Sequence, residues 1–243
     1  MSNKHKCLII AAGLGSRLSN MGESKPLTPL LDIPLIERVI LSASEAGVED
    51  FYVVTGFNGE TVRDFLDDLS VRRKIKINHI INNEWKKKNG VSVLKAKNVI
   101  DGTFFLLMSD HIFDSKIIQN LSKLDPGTDS LYLAVDTRLD NPMIDIDDVT
   151  KVKVENGKII AIGKTIADYN AFDSGIFLCS QGLFDALEES MESEDTSLSD
   201  GVLALASKEK ASVFDIGDSF WIDVDDEAAF RKAEEHILKN SLK

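Results

Sequence analysis

Leu8-Ile-Ile-Ala-Ala-Gly13-Leu-Gly15-Ser-Arg17-Leu18, followed by Lys25-Pro-Leu-Thr-Pro29, is the stretch that decides the fold. A short, wholly apolar run enters small residues and two glycines. Such a run fits a strand buried on both faces. In open α/β sheets, ligands bind outside the carboxyl ends of the strands, so the loop after this strand sits where a nucleotide would sit. Gly13 and Gly15 let the backbone approach phosphate oxygens and present N–H groups to them. A dinucleotide loop would carry a third glycine where Leu18 stands, and a Walker A loop would end in Gly-Lys-Ser/Thr, so neither pattern is met. Arg17 and Lys25 place two cations on one loop, which suits a triphosphate. An ordinary glycine turn with two solvated cations also accounts for these residues.

Outward from the loop, strand and helix patterns alternate. Strands are expected at residues 7–12, 51–55, 75–81, 104–108 and 130–135. Helices are expected at residues 35–46, 60–69, 91–99 and 115–124. This order predicts right-handed βαβ units and a mostly parallel sheet covered on both faces. The second half changes character. Asn156-Gly157 between two alternating segments, 150–155 and 158–163, marks a hairpin. Strands at 174–179, 212–216 and 220–224 and helices at 182–189, 198–207 and 227–239 complete the chain. No repeat or Pro/Gly-rich linker divides it. The expectation is a single α/β, Rossmann-like domain with a mixed, mostly parallel central sheet and a β-rich insertion. Residues 1–135 form the part that carries the glycine loop, and residues 136–243 the closing part.

The 243 residues carry 28 basic and 40 acidic side chains, a net charge of −12. A nucleic-acid footprint would have the opposite sign, so a nucleic-acid partner is not expected. Neither a signal peptide nor a membrane-spanning run is legible, which points to a cytoplasmic protein without membrane insertion. Cys7 and Cys179 lie in apolar runs and read as buried thiols.

Asp110 follows the apolar strand 104–108 and can face the same crevice as the loop; helix capping is its other reading, although Asp114 is better placed for that. In Trp221-Ile-Asp223-Val-Asp225-Asp226, a strand would point Asp223 and Asp225 to one face, where two like charges call for a cation between them. Asp226 reads as a helix cap. Mg²⁺ takes one or two carboxylates together with phosphate oxygens and water. Asn89-Gly90-Val-Ser92 offers donors and acceptors for a pyrimidine edge, or simply caps a helix.

The stretch Ala11-Ala12-Gly13-Leu14-Gly15-Ser16-Arg17 with Lys25-Pro26-Leu27 resembles the signature of the sugar-nucleotidyltransferase superfamily. That resemblance implies a Mg²⁺-dependent nucleotidyltransferase whose loop, including Ala11, Ala12, Gly13, Gly15 and Ser16, wraps the NTP phosphates. It gives Arg17 and Lys25 the α-phosphate and the leaving pyrophosphate. It gives Asp110 and Asp225 the metal, with Asp223 as the other candidate. Asn89, Gly90 and Ser92 resemble the base-reading loop of the cytidylyltransferase branch, which implies CTP. Lys164, before which stands Gly163, falls where the superfamily contacts the acceptor phosphate, and Asp173, before Ser174-Gly175, where it contacts acceptor hydroxyls. Lys151 and His111 are further acceptor-side candidates. Together with Thr150-Lys151-Val152, these features look like the CTP:inositol-1-phosphate cytidylyltransferases. The implied partners are CTP and a small phosphorylated polyol, and a homodimer is compatible. Some members of that group are fused to a membrane domain; this sequence shows none, so a downstream membrane synthase is expected to be a separate protein.

Overall fold

The computed structural model describes residues 5–18 and 24–241. In chain order the elements are β1 (His5–Ala11), β2 (Pro29–Leu30), β3 (Ile33–Pro34), α1 (Leu35–Glu45), β4 (Val48–Thr55), α2 (Gly59–Arg73), β5 (Lys76–Ile81), α3 (Asn89–Leu94), β6 (Phe104–Met108), β7 (His111–Phe113) and α4 (Lys116–Leu121). They continue with β8 (Leu131–Asp136), β9 (Lys151–Glu155), β10 (Lys158–Gly163), β11 (Ala171–Cys179), α5 (Gly182–Glu189), α6 (Leu198–Ala206), β12 (Ala211–Asp215), β13 (Trp221–Asp223) and α7 (Glu227–Ser241).

A nine-stranded sheet in the order β5-β4-β1-β6-β11-β8-β12-β10-β9 forms the frame. β1 shows why its sequence is apolar without alternation. Cys7, Ile9 and Ala11 pack into the core on one face, under α1 and α2, while Leu8, Ile10 and Ala12 pack into the core on the other. Each fully buried Leu or Ile there contributes about 1.5–3 kcal/mol of hydrophobic stabilisation.

β5, β4, β1 and β6 are parallel. From β1 the chain first runs outward through β4 and β5, then returns to place β6 on the other side of β1. That reversal opens a crevice at the carboxyl ends of β1 and β6, where Gly13 and Asp110 follow their strands. β11 runs antiparallel to β6, so its first residues, with Asp173, lie at the same end. β12 is parallel to β8 and keeps the sheet mostly co-directional.

The expected β-rich insertion is the hairpin β9–β10, and Asn156 (φ 50°) and Gly157 (φ 75°) form its turn. It extends the far edge of the main sheet through β12 and β11 rather than standing over the sheet's open end. The helix expected at 91–99 stops at Leu94 because the following N–H groups bond three residues back: Lys95 to Ser92, Ala96 to Val93 and Lys97 to Leu94. This tighter winding does not propagate an α-helix. Asp226 caps α7, its Oδ1 accepting from Ala229 N at 2.8 Å. Asp114 does not cap α4; its Oδ2 accepts from Phe220 N at 2.9 Å instead.

Candidate active site

Two cavities meet at the carboxyl end of the sheet. The smaller, about 330 Å³, is lined by Ile10, Ala11, Gly13, Gly15, Arg17, Lys25, Pro26, Asn89, Met108, Ser109, Asp110 and Asp225. The larger, about 440 Å³, is lined by His111, Lys164, Asp173, Trp221, Asp223 and every residue from 143 to 150, among others. Asn89, Met108 and Asp225 belong to both.

Gly15 earns its place sterically. Its φ is +61°, and a Cβ there would lie 2.3 Å from the Cβ of Lys25. The missing side chain lets Lys25 fold over the loop, where it is 8% exposed. Lys25 Nζ pairs with Asp110 Oδ2 at 2.5 Å and with Asp225 Oδ1. Burial opposes the ammonium charge, but Asp110, Asp223 and Asp225 outweigh it and hold Lys25 protonated, well above the usual lysine range. Burial likewise works against the Asp110 carboxylate, yet Lys25 and His111 keep it far below the usual carboxylate range.

A two-stranded ribbon brings the second acidic group in. β13 pairs antiparallel with β7, setting Asp223 opposite His111, and Val224 N donates to Asp110 O at 3.0 Å. His111 Nδ1 lies 2.9 Å from Asp110 Oδ1 and 3.6 Å from Asp223 Oδ1. Burial disfavours its charge, but Asp223 and Asp110 raise it to about 9, so it is an imidazolium at neutral pH. Its ring stacks on Trp221, with centroids 6.2 Å apart. Burial lifts Asp223 to about 6; His111 lowers it and Asp110 raises it. Asp173, also lifted to about 6 by burial, accepts from Gly175 N at 2.7 Å.

Asp110, His111 and Asp223 bring ligand atoms within 4.8 Å of one another. Asp223 Oδ1 is buried without a hydrogen-bond partner among the described residues. An unsatisfied carboxylate oxygen beside a second carboxylate is the donor set a hard divalent cation takes. The residues therefore fit a metal at Asp110 and Asp223. Asp225 lies beside that pair, sharing Lys25 with Asp110 through one oxygen, and its other oxygen is held by Arg17.

The other expected residues divide. Ala11, Gly13, Gly15, Asn89 and Lys164 line the cavities. Ala12 is buried behind the loop, its carbonyl accepting from Phe57 N at 3.0 Å. Ser92 is buried and accepts from Asn82 Nδ2 at 2.9 Å, so it shapes α3 rather than the cavity wall. Gly90 packs where a Cβ would meet Thr196 O at 2.5 Å. Asn89 Oδ1 accepts from Leu198 N at 2.8 Å, which leaves its amide as the group offered to a ligand. Lys151 lies outside the cavity lining, its Nζ donating to Lys164 O at 2.9 Å and sitting over the Tyr169 ring. The side chain of Ser16 lies outside the described residues.

Asp148 is the residue that sequence reasoning missed. Its Oδ2 accepts from Arg17 Nη1 and its Oδ1 from Lys164 Nζ, each at 2.5 Å. Burial works against its charge, but Lys164 and Arg17 pull it down to about 2. The only local signal was an acidic run, Asp145-Ile-Asp-Asp148, with no helix to cap.

Residues 7–153, which include the glycine loop, the buried Lys25 and Asp110 at the crevice of this sheet, match the model of the MobA-like NTP transferase domain. The chain belongs to that family. As an NTP transferase domain it is a nucleotidyltransferase, an enzyme class that uses a divalent metal. It is similar, at 31% identity over 95% of its length, to a Rubrobacter xylanophilus protein named bifunctional IPC transferase and DIPP synthase. A protein of the same name from Aquifex aeolicus is 31% identical over 97% of the chain. The chain spans about half the length of these curated relatives, 51% and 52%. Among solved structures, the inositol-1-phosphate CTP transferase from T. maritima superposes with a TM-score of 0.85 at 25% identity, covering 97% of this chain and 96% of that one. No helix among the described residues of this NTP transferase chain is long and apolar enough to cross a membrane.

Proposed function

We propose that the chain is a Mg²⁺-dependent cytidylyltransferase that transfers CMP from CTP to inositol 1-phosphate, giving CDP-inositol and pyrophosphate. One observation carries this reading. The cations of the nucleotide loop and the cation of the second cavity meet on one strip of charge, Lys25–Asp225–Arg17–Asp148–Lys164. Two phosphorylated substrates bound in the two cavities would have their phosphates side by side along it. The names of the T. maritima structure and of the relatives supply the substrates. Residues 1–135 would hold the nucleotide and residues 136–243 the acceptor. The product then suits a synthase activity of the kind that the relatives' names pair with the transferase.

The chemistry is in-line displacement at the α-phosphorus. A phosphate monoester carries about −1.5 to −2 charges at neutral pH, so its oxygen attacks without a general base. What opposes the step is bringing anions together, and catalysis is positioning plus charge neutralisation. Gly13 and Gly15 admit the triphosphate to backbone N–H groups. Arg17 and Lys25 face the α-phosphate and the departing pyrophosphate, and Lys164 receives the acceptor phosphate. Asp110 and Asp223, with Asp225 close by, would hold Mg²⁺, which when bound supplies charge neutralisation at the phosphates. His111 and Asp173 line the acceptor cavity, and the amide of Asn89 reaches toward the base.

The test is pyrophosphate release across four NTPs and a panel of phosphorylated polyols, sugars and choline. Turnover is expected with CTP and inositol 1-phosphate and Mg²⁺, and is expected to stop on chelation. Turnover only with UTP or dTTP and glucose 1-phosphate would refute the substrate assignment.

A further inference from the structure

Asp148 holds the nucleotide-side cation with one carboxylate oxygen and the acceptor-side cation with the other. Arg17 and Lys164 are half exposed, so both ion pairs can exchange for a ligand. Asp148 sits in the segment 137–150, between β8 and β9, which contains neither helix nor strand. The segment is anchored near its middle, where Lys232 Nζ donates to Pro142 O at 2.7 Å. Residues 143–150 beyond that anchor all line the larger cavity. A loop of this length with no regular structure is usually functional.

We propose that Asp148 is a positioning residue that holds the places of both substrates' phosphates in the free protein and thereby couples their binding. The inference rests on the reading that Arg17 and Lys164 face the phosphates of two substrates. An arriving phosphate on either cation must displace an oxygen of Asp148. The arriving phosphate repels the displaced carboxylate and drives it off the second cation as well, so the first ligand prepares the second. Linkage makes the effect reciprocal. Asp148 stays ionised to about pH 2, so the competition persists over the whole working range.

The test is calorimetric titration of the full chain with inorganic pyrophosphate, with and without added inorganic phosphate, in wild type, Asp148→Asn and Asp148→Glu. Asp148→Asn removes the competing charge but keeps the shape. Its pyrophosphate affinity is expected to rise about two- to fivefold, the range set by half-exposed ion pairs. Added phosphate is expected to favour pyrophosphate binding more in wild type than in Asp148→Asn, and Asp148→Glu to restore the wild-type pattern. Unchanged or weaker pyrophosphate binding in a folded Asp148→Asn protein would overturn the proposal, as would an identical effect of phosphate in both proteins. A residue that merely stiffened the loop would weaken binding when replaced. Pyrophosphate release from CTP and inositol 1-phosphate by wild type reads the substrate assignment separately. That activity can fail while the Asp148 effect stands, and the reverse.

Discussion

Lys25 sits between the carboxylates of Asp110 and Asp225 and is nearly excluded from water. Replacing it with methionine leaves those charges facing each other. In Lys25→Met, kcat is expected to fall about a hundredfold or more, the cost of one preorganised donor, in a pyrophosphate-release assay. Its stability at pH 7 is expected to fall by about 3–5 kcal/mol, because a buried partner charge is stranded. Near wild-type turnover would remove Lys25 from the machinery. Gly175 makes a different demand. Its φ is +72°, and a Cβ would lie 2.5 Å from the His111 ring. Gly175→Ala is expected to cost about 1–3 kcal/mol in denaturant unfolding and to displace His111 from Asp110. An unchanged unfolding midpoint would show that the ring gives way freely. Arg17 and Lys25 were legible in the sequence because the glycines that shape their loop stand beside them. Asp148 was not, because its role exists only where residues 17, 148 and 164 meet. That Ser92 and Ala12 are buried away from the cavity walls was not legible for a related reason. A short polar or small residue near a loop looks the same whether it faces the cavity or the core.

At the scale of elements, the hairpin β9–β10 and the strand β1 could be read directly, one from Asn156-Gly157 and the other from an unbroken apolar run. The ribbon β7–β13 could not be read whole. Its strands are three residues long, and a strand that short carries no period. Yet this ribbon brings Asp223 to Asp110, and it is held from behind by Asp136 at the end of β8. That buried carboxylate accepts from Trp221 Nε1 at 2.9 Å, Asn141 Nδ2 at 2.8 Å and the Arg138 guanidinium. Burial works against its charge, but these donors win and hold it below the usual carboxylate range. A depressed carboxylate stabilises the fold above its unfolded pKa, about 3.9, and loses that contribution as pH falls through the folded value. Asp136→Asn is expected to lose about 1–3 kcal/mol in urea unfolding at pH 7. The difference from wild type is expected to narrow only below about pH 4. A difference that stays constant well below pH 4 would assign the loss to packing rather than to charge.

At the scale of the whole molecule, the puzzle is an acidic protein that handles anions. The net charge is −12, and the two cavities repeat the imbalance, with Arg17, Lys25, Lys164, Lys232 and His111 against eight aspartates. The cations proposed to face phosphate are moreover already paired to those aspartates. Attraction is therefore short-ranged and depends on exchanging partners, while the long-range field repels an incoming nucleotide. Ionic strength separates the two. At 0.01 M salt the screening length, about 30 Å, exceeds the radius of gyration of about 18 Å expected for a chain of this size, so the whole charge acts on the ligand. At 0.15 M it is about 8 Å, and only nearby groups are felt. At constant free Mg²⁺, kcat/KM for the nucleotide is expected to rise as salt increases from 0.01 to 0.15 M, because repulsion is screened before the close contacts are. A basic nucleotide-binding protein would show the opposite trend. A steady fall in kcat/KM over this range would mean that Arg17, Lys25 and Lys164 steer from a distance, which their pairing in the free protein argues against.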